Sequence, residues 1–311
     1  MPGESPRQES QAGSAPADDA DVPAFWQSLG LPGLFDAHVH FLPEPIMRRV
    51  WEHFDGRGPL IGREWPITYR WSDDERVEHL RRMGVRRFTA LPYAHKPGVA
   101  GFLNDWARDF TNATPDCLRS ATFYPEPDAA DYVHDLVADG VEVFKVHVQV
   151  GDFDLRDPLL DKVWGVLAES GVPVVIHAGS GPVPNEHTGP GPMAEVLSRH
   201  PRLAAVIAHL GAPEYAEFLA LAQRYERVHL DTTMAFTSFF DAMAPYPRSL
   251  LPQFSDLGDK VLLGTDFPNI PYAYAEQLAA LADLGFGDAW LGRVCWDNAV
   301  ALFGAPTTLG E

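Results

Sequence analysis

The chain has 311 residues, 46% hydrophobic and 11% aromatic, which supplies ample material for a buried core and excludes a wholly disordered polymer. Its 24 Lys and Arg stand against 43 Asp and Glu, a formal charge of -19 that repels phosphate backbones and anionic headgroups, so neither nucleic acid nor a membrane is an expected partner. Only two cysteines occur, Cys117 and Cys295, both in apolar or aromatic surroundings, and no signal-peptide pattern or membrane-spanning apolar run is present; no disulfide framework is implied and a cytoplasmic protein is expected.

Residues 1–23 are rich in Ser, Pro, Gly, Ala and acidic side chains and offer almost nothing to bury, which predicts a disordered tail. Residues 24–311 then read as one domain, long for an ordinary core but normal for a (β/α)₈ barrel of about 250 residues with insertions. Its first apolar run, LFDAHVHF (34–41), carries His38 and His40. Two residues apart on a strand, they project from one face, and two imidazoles on one side make half of a metal site; two satisfied polar residues at a strand end are the plain alternative.

A segment rich in aromatics, Gly and Pro follows, from Leu42 to about Asp73, and as an insertion after the first strand of a barrel it would lie over the active-site mouth. It carries Trp51, Phe54, Trp65, Tyr69 and Trp71 with Arg57, Arg63 and Arg70. Seven further runs suit strands: RRFTALPY (86–93), LRSATFY (118–124), VEVFKVHV (141–148), VPVVIHA (172–178), LAAVIAHL (203–210), VHLDTT (228–233) and VLLGTDF (261–267). Most lack period-two alternation, as strands covered on both faces should. Helical patterns separate them, among them 157–171, 213–226 and 274–285. Strand and helix alternate about eight times, which predicts a (β/α)₈ TIM barrel; an open doubly wound sheet would show a phosphate-binding G-x-G-x-x-G turn after its first strand, and none is there.

Four strands end in a metal-competent or ionisable residue: Lys145 in VFKVH, His177 in VVIHAG, His209 in VIAHLG and Asp266 in LLGTDFP. Burying such groups without a task costs several kcal/mol each unless they are paired. Convergence at the C-terminal mouth of a barrel supplies the task.

With DAHVH, FKVH, VVIHAG, AHLG, GTDFP and WDNAVALFG in this order between Leu34 and Phe303, the chain resembles the amidohydrolase superfamily, in its second large branch of barrel metal hydrolases and aminocarboxymuconate-semialdehyde-type decarboxylases. The resemblance implies one divalent ion held by His38, His40, His177 and Asp266, with His209 orienting or protonating the reacting group. Zinc suits three histidines and an aspartate best, with Mn²⁺ or Fe²⁺ as alternatives. Lys145 corresponds to the lysine that is carboxylated between two ions in two-metal relatives; one ion with an unmodified Lys145 is expected.

A bound ion brings the pKa of a water near 7, and Asp266 can accept that proton while His209 assists the developing charge. Asp36 is expected beneath the ligands, outside direct coordination. His147 and His187 are left between substrate contact and a bland role, and Asn298 is expected to make a structural contact.

The expected function is hydrolysis of a small-molecule amide, lactone or ester by metal-activated water. Non-oxidative decarboxylation of a small carboxylic acid is the alternative, although many decarboxylating relatives open with E-x-H where this chain has His38-Val39-His40. A nuclease or phosphoesterase is a minor third, discouraged by the acidic charge and by Lys145 where the nucleases usually carry Glu. The insertion's aromatics and arginines, with Phe236, Phe239 and Phe240 after the seventh strand, point to a planar or aromatic carboxylate, lactone or amide. The expected partner is this small molecule, with a homo-oligomer left open.

Overall fold

The protein is described by a computed structural model over residues 15–56 and 58–305. Eight short parallel strands follow one another: β1 (Leu34–Asp36), β2 (Val85–Phe88), β3 (Ser120–Thr122), β4 (Val143–His147), β5 (Val174–His177), β6 (Ala205–Ile207), β7 (Val228–Asp231) and β8 (Val261–Leu262). β1 pairs with β2, and β3 to β8 pair in sequence order. Two seams join these sets. Phe88 bridges Cys117 and accepts from the Leu118 amide at 2.8 Å; at the other seam Val39 bridges Phe267 and the Ala37 amide donates to Leu263 O at 2.8 Å. The ring closes in sequence order, as the alternation of strand and helix predicted.

Helix Pro158–Ser170 shows why the connecting segments fold as they do. Asp157 caps it by accepting from the Leu159 amide, Pro158 opens it, and Gly171 ends it at φ 75°, a left-handed conformation that favours glycine. Its buried residues Leu160, Val163, Trp164 and Leu167 recur at helical spacing and cover the strands.

A second apolar layer fills the barrel. Phe35, Leu118, Val143, Val175, Val206 and Leu262 cluster and are closed off by Trp296 and Ala299 of the C-terminal helices. Burying each contributes on the order of 1.5–3 kcal/mol. Lys145 and His177 lie two residues beyond Val143 and Val175, so the alternation that plugs the barrel also aims these groups along its axis. Asn298 donates to Gly258 O and Val261 O, both at 2.7 Å, and fixes the chain where it enters β8, a structural contact as expected.

The tail prediction needs correction. Residues 1–14 lie outside the described residues, but Asp18 caps a 3₁₀ turn, Asp19–Asp21, with a full capping box, and Val22 and Phe25 of the next helix are buried. Asp19 accepts from Tyr69 OH at 2.6 Å, His79 Nε2 at 2.8 Å and the Ala275 amide at 3.0 Å. The folded unit therefore begins by Asp18. Composition misled because it does not reveal that Asp18 caps the turn and that Asp19 accepts from three groups of the barrel.

The insertion after β1 crosses the barrel mouth as expected. Its helix Glu44–Asp55 carries Trp51, whose Nε1 donates to Asn269 Oδ1 at 3.1 Å; Trp65 Nε1 donates to Asn269 O at 2.7 Å. Both cysteines are buried and unpaired, and among the described residues no helix is long and apolar enough to cross a membrane.

Candidate metal centre

Beneath the insertion lies a cavity of about 480 Å³, with His38, His40, Lys145, His147, His177, His209 and Asp266 among the residues lining it. His38 and His40 follow β1 directly. His38 Nε2 and His40 Nε2 stand 3.2 Å apart, and Asp266 Oδ1 lies 3.0 Å from the second and 3.6 Å from the first. The shared face expected from their spacing is thus real, although the hydrogen-bonded strand itself ends at Asp36.

The other ring nitrogens settle which nitrogen of each ring faces inward. His40 Nδ1 lies 3.0 Å from Leu91 O, which can only accept, so this nitrogen carries a proton and Nε2 is the ring nitrogen turned to the cavity. His38 Nδ1 lies 2.8 Å from Asp231 Oδ2, with the same consequence. Two imidazole Nε2 atoms and a carboxylate oxygen within 4.8 Å of one another form a donor set that fits a divalent ion. Lys145 Nζ, fully buried, stands 3.2 Å from His38 Nε2 and supplies one positive charge at this point.

His177 stands differently. Its Nε2 meets Gly181 O at 2.9 Å and its ring stacks on His147 with centroids 3.9 Å apart, so it is not in the compact group of His38, His40 and Asp266, whose ligand atoms lie within 4.8 Å of one another. It borders the same cavity one ring away from His209, at 4.7 Å between centroids. His209 uses Nδ1 against Thr233 O at 3.2 Å, which leaves Nε2 as the ring's remaining polar atom.

Burial dominates the electrostatics. It pushes the His38 and His209 imidazoles down to about 4, helped at His38 by Lys145 and opposed in both by Asp231, so both are neutral near pH 7. His147 and His177 are likewise lowered, first by burial and then by the neighbouring histidines and Lys145. For Asp266, burial alone would raise the carboxyl, but the His40 contact and surrounding histidines outweigh it and hold it well below the ordinary carboxylate range. Lys145 falls to about 8 through burial, checked by Asp231 and Asp266.

Asp36 lies beneath this group as expected. It accepts from Thr265 Oγ1 at 2.6 Å, Tyr274 OH at 3.0 Å and the His38 amide at 3.1 Å, and burial lifts it to about 7 despite them. The backbone is strained at two site residues: His209 has φ 55° and Asp266 φ 68°, left-handed values that non-glycine residues adopt at a cost of order 1–3 kcal/mol and that cluster at functional sites.

Several expectations about the cavity wall change. Of the arginines singled out, Arg63 donates to Phe239 O at 2.6 Å, Arg70 pairs with Asp55, and Arg57 lies outside the described residues. Among the described residues the arginine on the wall is Arg49, which sequence patterning did not single out because it sits on an ordinary amphipathic helix. Phe54, Trp65 and Phe240 line the cavity, Phe239 packs edge-on against Trp65, and Phe236 packs against Tyr246 and Phe254. His147 borders the cavity; His187 is not among its lining residues. Asp231 was missed outright. Its signal was a charged residue in an otherwise apolar strand, the criterion that selected Lys145, His177 and Asp266.

Fold and site together define a metal-dependent barrel enzyme. The amidohydrolase model, that of the family's amidohydrolase-2 branch, matches residues 35–305, and the chain belongs to that divalent-metal-dependent enzyme family. Among solved structures it is similar to an uncharacterized TIM-barrel protein from Bordetella bronchiseptica, at 17% identity and TM-score 0.70 over 87% of this chain and 98% of that one. It is also similar to a 5-carboxyvanillate decarboxylase from Novosphingobium aromaticivorans complexed with manganese (14%, 0.60, 89% and 97%) and to a probable 2-pyrone-4,6-dicarboxylic acid hydrolase from Acinetobacter baumannii (15%, 0.57, 88% and 100%). At these identities the likeness shows the fold. No curated protein matches the chain by sequence.

Proposed function

We propose that the protein is a metal-dependent hydrolase of small-molecule amides, lactones or esters, with His38, His40 and Asp266 holding one ion and His177 joining them by turning its ring from Gly181. The observation that carries this reading is the convergence of two imidazole Nε2 atoms and the Asp266 carboxylate at the floor of one cavity. A bound divalent ion supplies Lewis acidity toward a carbonyl and makes water a competent nucleophile near neutral pH. Zinc matches the nitrogen-rich donor set, and manganese is the ion in one relative's structure.

The chain's own groups supply the proton handling. Asp266, held ionised, accepts a proton at the carboxylate facing His40. His209 rests with Nδ1 donating to Thr233 O and Nε2 bare, so it takes over the proton that Asp266 removes from the attacking water and delivers it to the leaving group, which returns both groups to their starting states. Lys145 places positive charge where a substrate oxyanion would develop. The insertion keeps bulk water out, and Phe54, Trp65 and Phe240 present ring faces to a planar substrate. Arg49 on the cavity wall suits a substrate carboxylate.

Decarboxylation is the second reading, supported by the fold shared with a carboxyvanillate decarboxylase and by Lys145 beside the centre. A cytoplasmic location fits two unpaired cysteines, and the charge of -19 disfavours a nucleic-acid substrate. Supplying zinc-loaded protein with a panel of aromatic and dicarboxylate lactones and of hydroxybenzoic and keto acids separates the reactions. Ring opening without CO₂ release supports hydrolysis, and CO₂ release from the acids with inert lactones overturns it.

A further inference from the structure

Asp231 ends β7, is fully buried, and does two things at once. Its Oδ2 lies 2.8 Å from His38 Nδ1, while its Oδ1 accepts from the His209 amide at 2.9 Å and the Thr233 amide at 3.1 Å. The amides fix the carboxylate's orientation, because backbone N–H groups cannot turn away. Oδ2 is thereby presented to His38, and an acceptor at that place keeps the ring proton on Nδ1.

We propose that Asp231 is a positioning residue serving both halves of the site: it sets the His38 tautomer, so that Nε2 is available to a cation, and it anchors the His209 backbone in its left-handed conformation. This rests on the metal-centre reading for its consequence, though not for its geometry. His40 receives the equivalent help from Leu91 O, a main-chain acceptor that substitution cannot remove. His38 is therefore the ligand whose tautomer a single side chain governs. In addition, Thr233, whose amide Asp231 holds, supplies the carbonyl that receives His209 Nδ1. One carboxylate thus sets the backbone of His209 and, through the next turn, the acceptor for its ring.

The decisive variant is Asp231→Asn. It is nearly isosteric and keeps one carbonyl oxygen, which the two amides claim. The side-chain NH₂ then faces His38 Nδ1 and donates to it, driving the ring proton to Nε2. Loss of such supporting partners typically weakens metal affinity by about 10- to 100-fold.

The test has two readouts, neither of them turnover. Nitrogen-15 spectra of the imidazoles in chelator-treated protein, with His38 assigned by its loss in His38→Gln, should show Nδ1–H in the wild type and Nε2–H in Asp231→Asn. Zinc titration against a competing chelator should show the variant about 10- to 100-fold weaker. A wild-type His38 protonated at Nε2, or a variant with unchanged tautomer and zinc affinity, would overturn the assignment. The wild-type spectrum decides the question even if the variant does not fold. Wild-type protein that takes up no zinc would contradict the metal-centre reading instead, leaving the spectrum to judge Asp231 by itself.

Discussion

The Asp266 amide donates to His38 O at 2.9 Å, so the last and first strands are tied at the two residues that would share an ion. Closure of the barrel and assembly of the centre are consequently one event. The His40 amide, donating to Phe267 O at 2.8 Å, continues the seam on the cavity side.

This coupling separates ligands from proton-handling residues. His38→Ala or His40→Ala should lose metal and activity together. His209→Asn should keep its metal while kcat falls by about 10² to 10⁴, the range for lost general acid–base help. Metal content and kcat measured on the same preparations check this, and His209→Asn protein that loses its metal as completely as His38→Ala would make His209 a ligand.

Gly264 passes directly beneath the centre. A Cβ there would overlap Thr233 Oγ1 and lie 2.9 Å from His38 Cβ, so Gly264→Ala must displace His38 or the chain after β7. Overpacking of this kind costs about 1–3 kcal/mol. The expected outcome is a lowered urea midpoint together with reduced zinc uptake; unchanged values of both would show that the contact relaxes freely.

Metal-free protein should lose stability as pH falls from about 6.5 to 4. His38 and His209 titrate near 4 in the fold against an ordinary 6.5, so across this window the unfolded chain binds protons that the native chain refuses. Asp36 works the other way: with a native value of about 7 against 3.8, its contribution is present in acid and is lost as pH rises toward 7. Asp36→Asn removes that opposing slope. Urea unfolding at pH 4.5, 5.5 and 6.5 should therefore show a steeper rise of stability with pH in Asp36→Asn than in the wild type, and a shallower one would contradict the account.

Asp19 tests the corrected N-terminal boundary. Asp19→Ala would leave Tyr69 OH and His79 Nε2 without their acceptor, at about 1–3 kcal/mol for a buried partner left unpaired. Thermal unfolding should fall by several degrees for a domain of this size. A truly disordered segment would show no change.

What the sequence could and could not disclose follows the same physics. All eight strands and the convergence of His38, His40 and Asp266 were legible, because apolar runs that end in an ionisable residue are expensive unless the strands meet. Asp231 was as visible as Asp266 by that criterion, since it lies in VHLDTT, a run that reads as a strand, but it matches none of the motifs that carry the family resemblance. The ring orientation of His177 was not legible at all. Whether its Nε2 meets Gly181 O or the other histidines depends on the loop after β5, which periodicity does not describe. Asp18 and Asp19 were hidden because a cap and a solvated acid look alike in composition.

The central claim is one divalent ion bound at the floor of the cavity, and a structure of zinc-loaded protein with anomalous diffraction at the zinc edge tests it most directly. The account predicts a single peak bonded to His38 Nε2, His40 Nε2 and Asp266 at about 2.0–2.2 Å, with His177 turned from Gly181 to complete the set. Protein that takes up no zinc, or a peak elsewhere with His38 Nε2 still paired to Lys145, would contradict it.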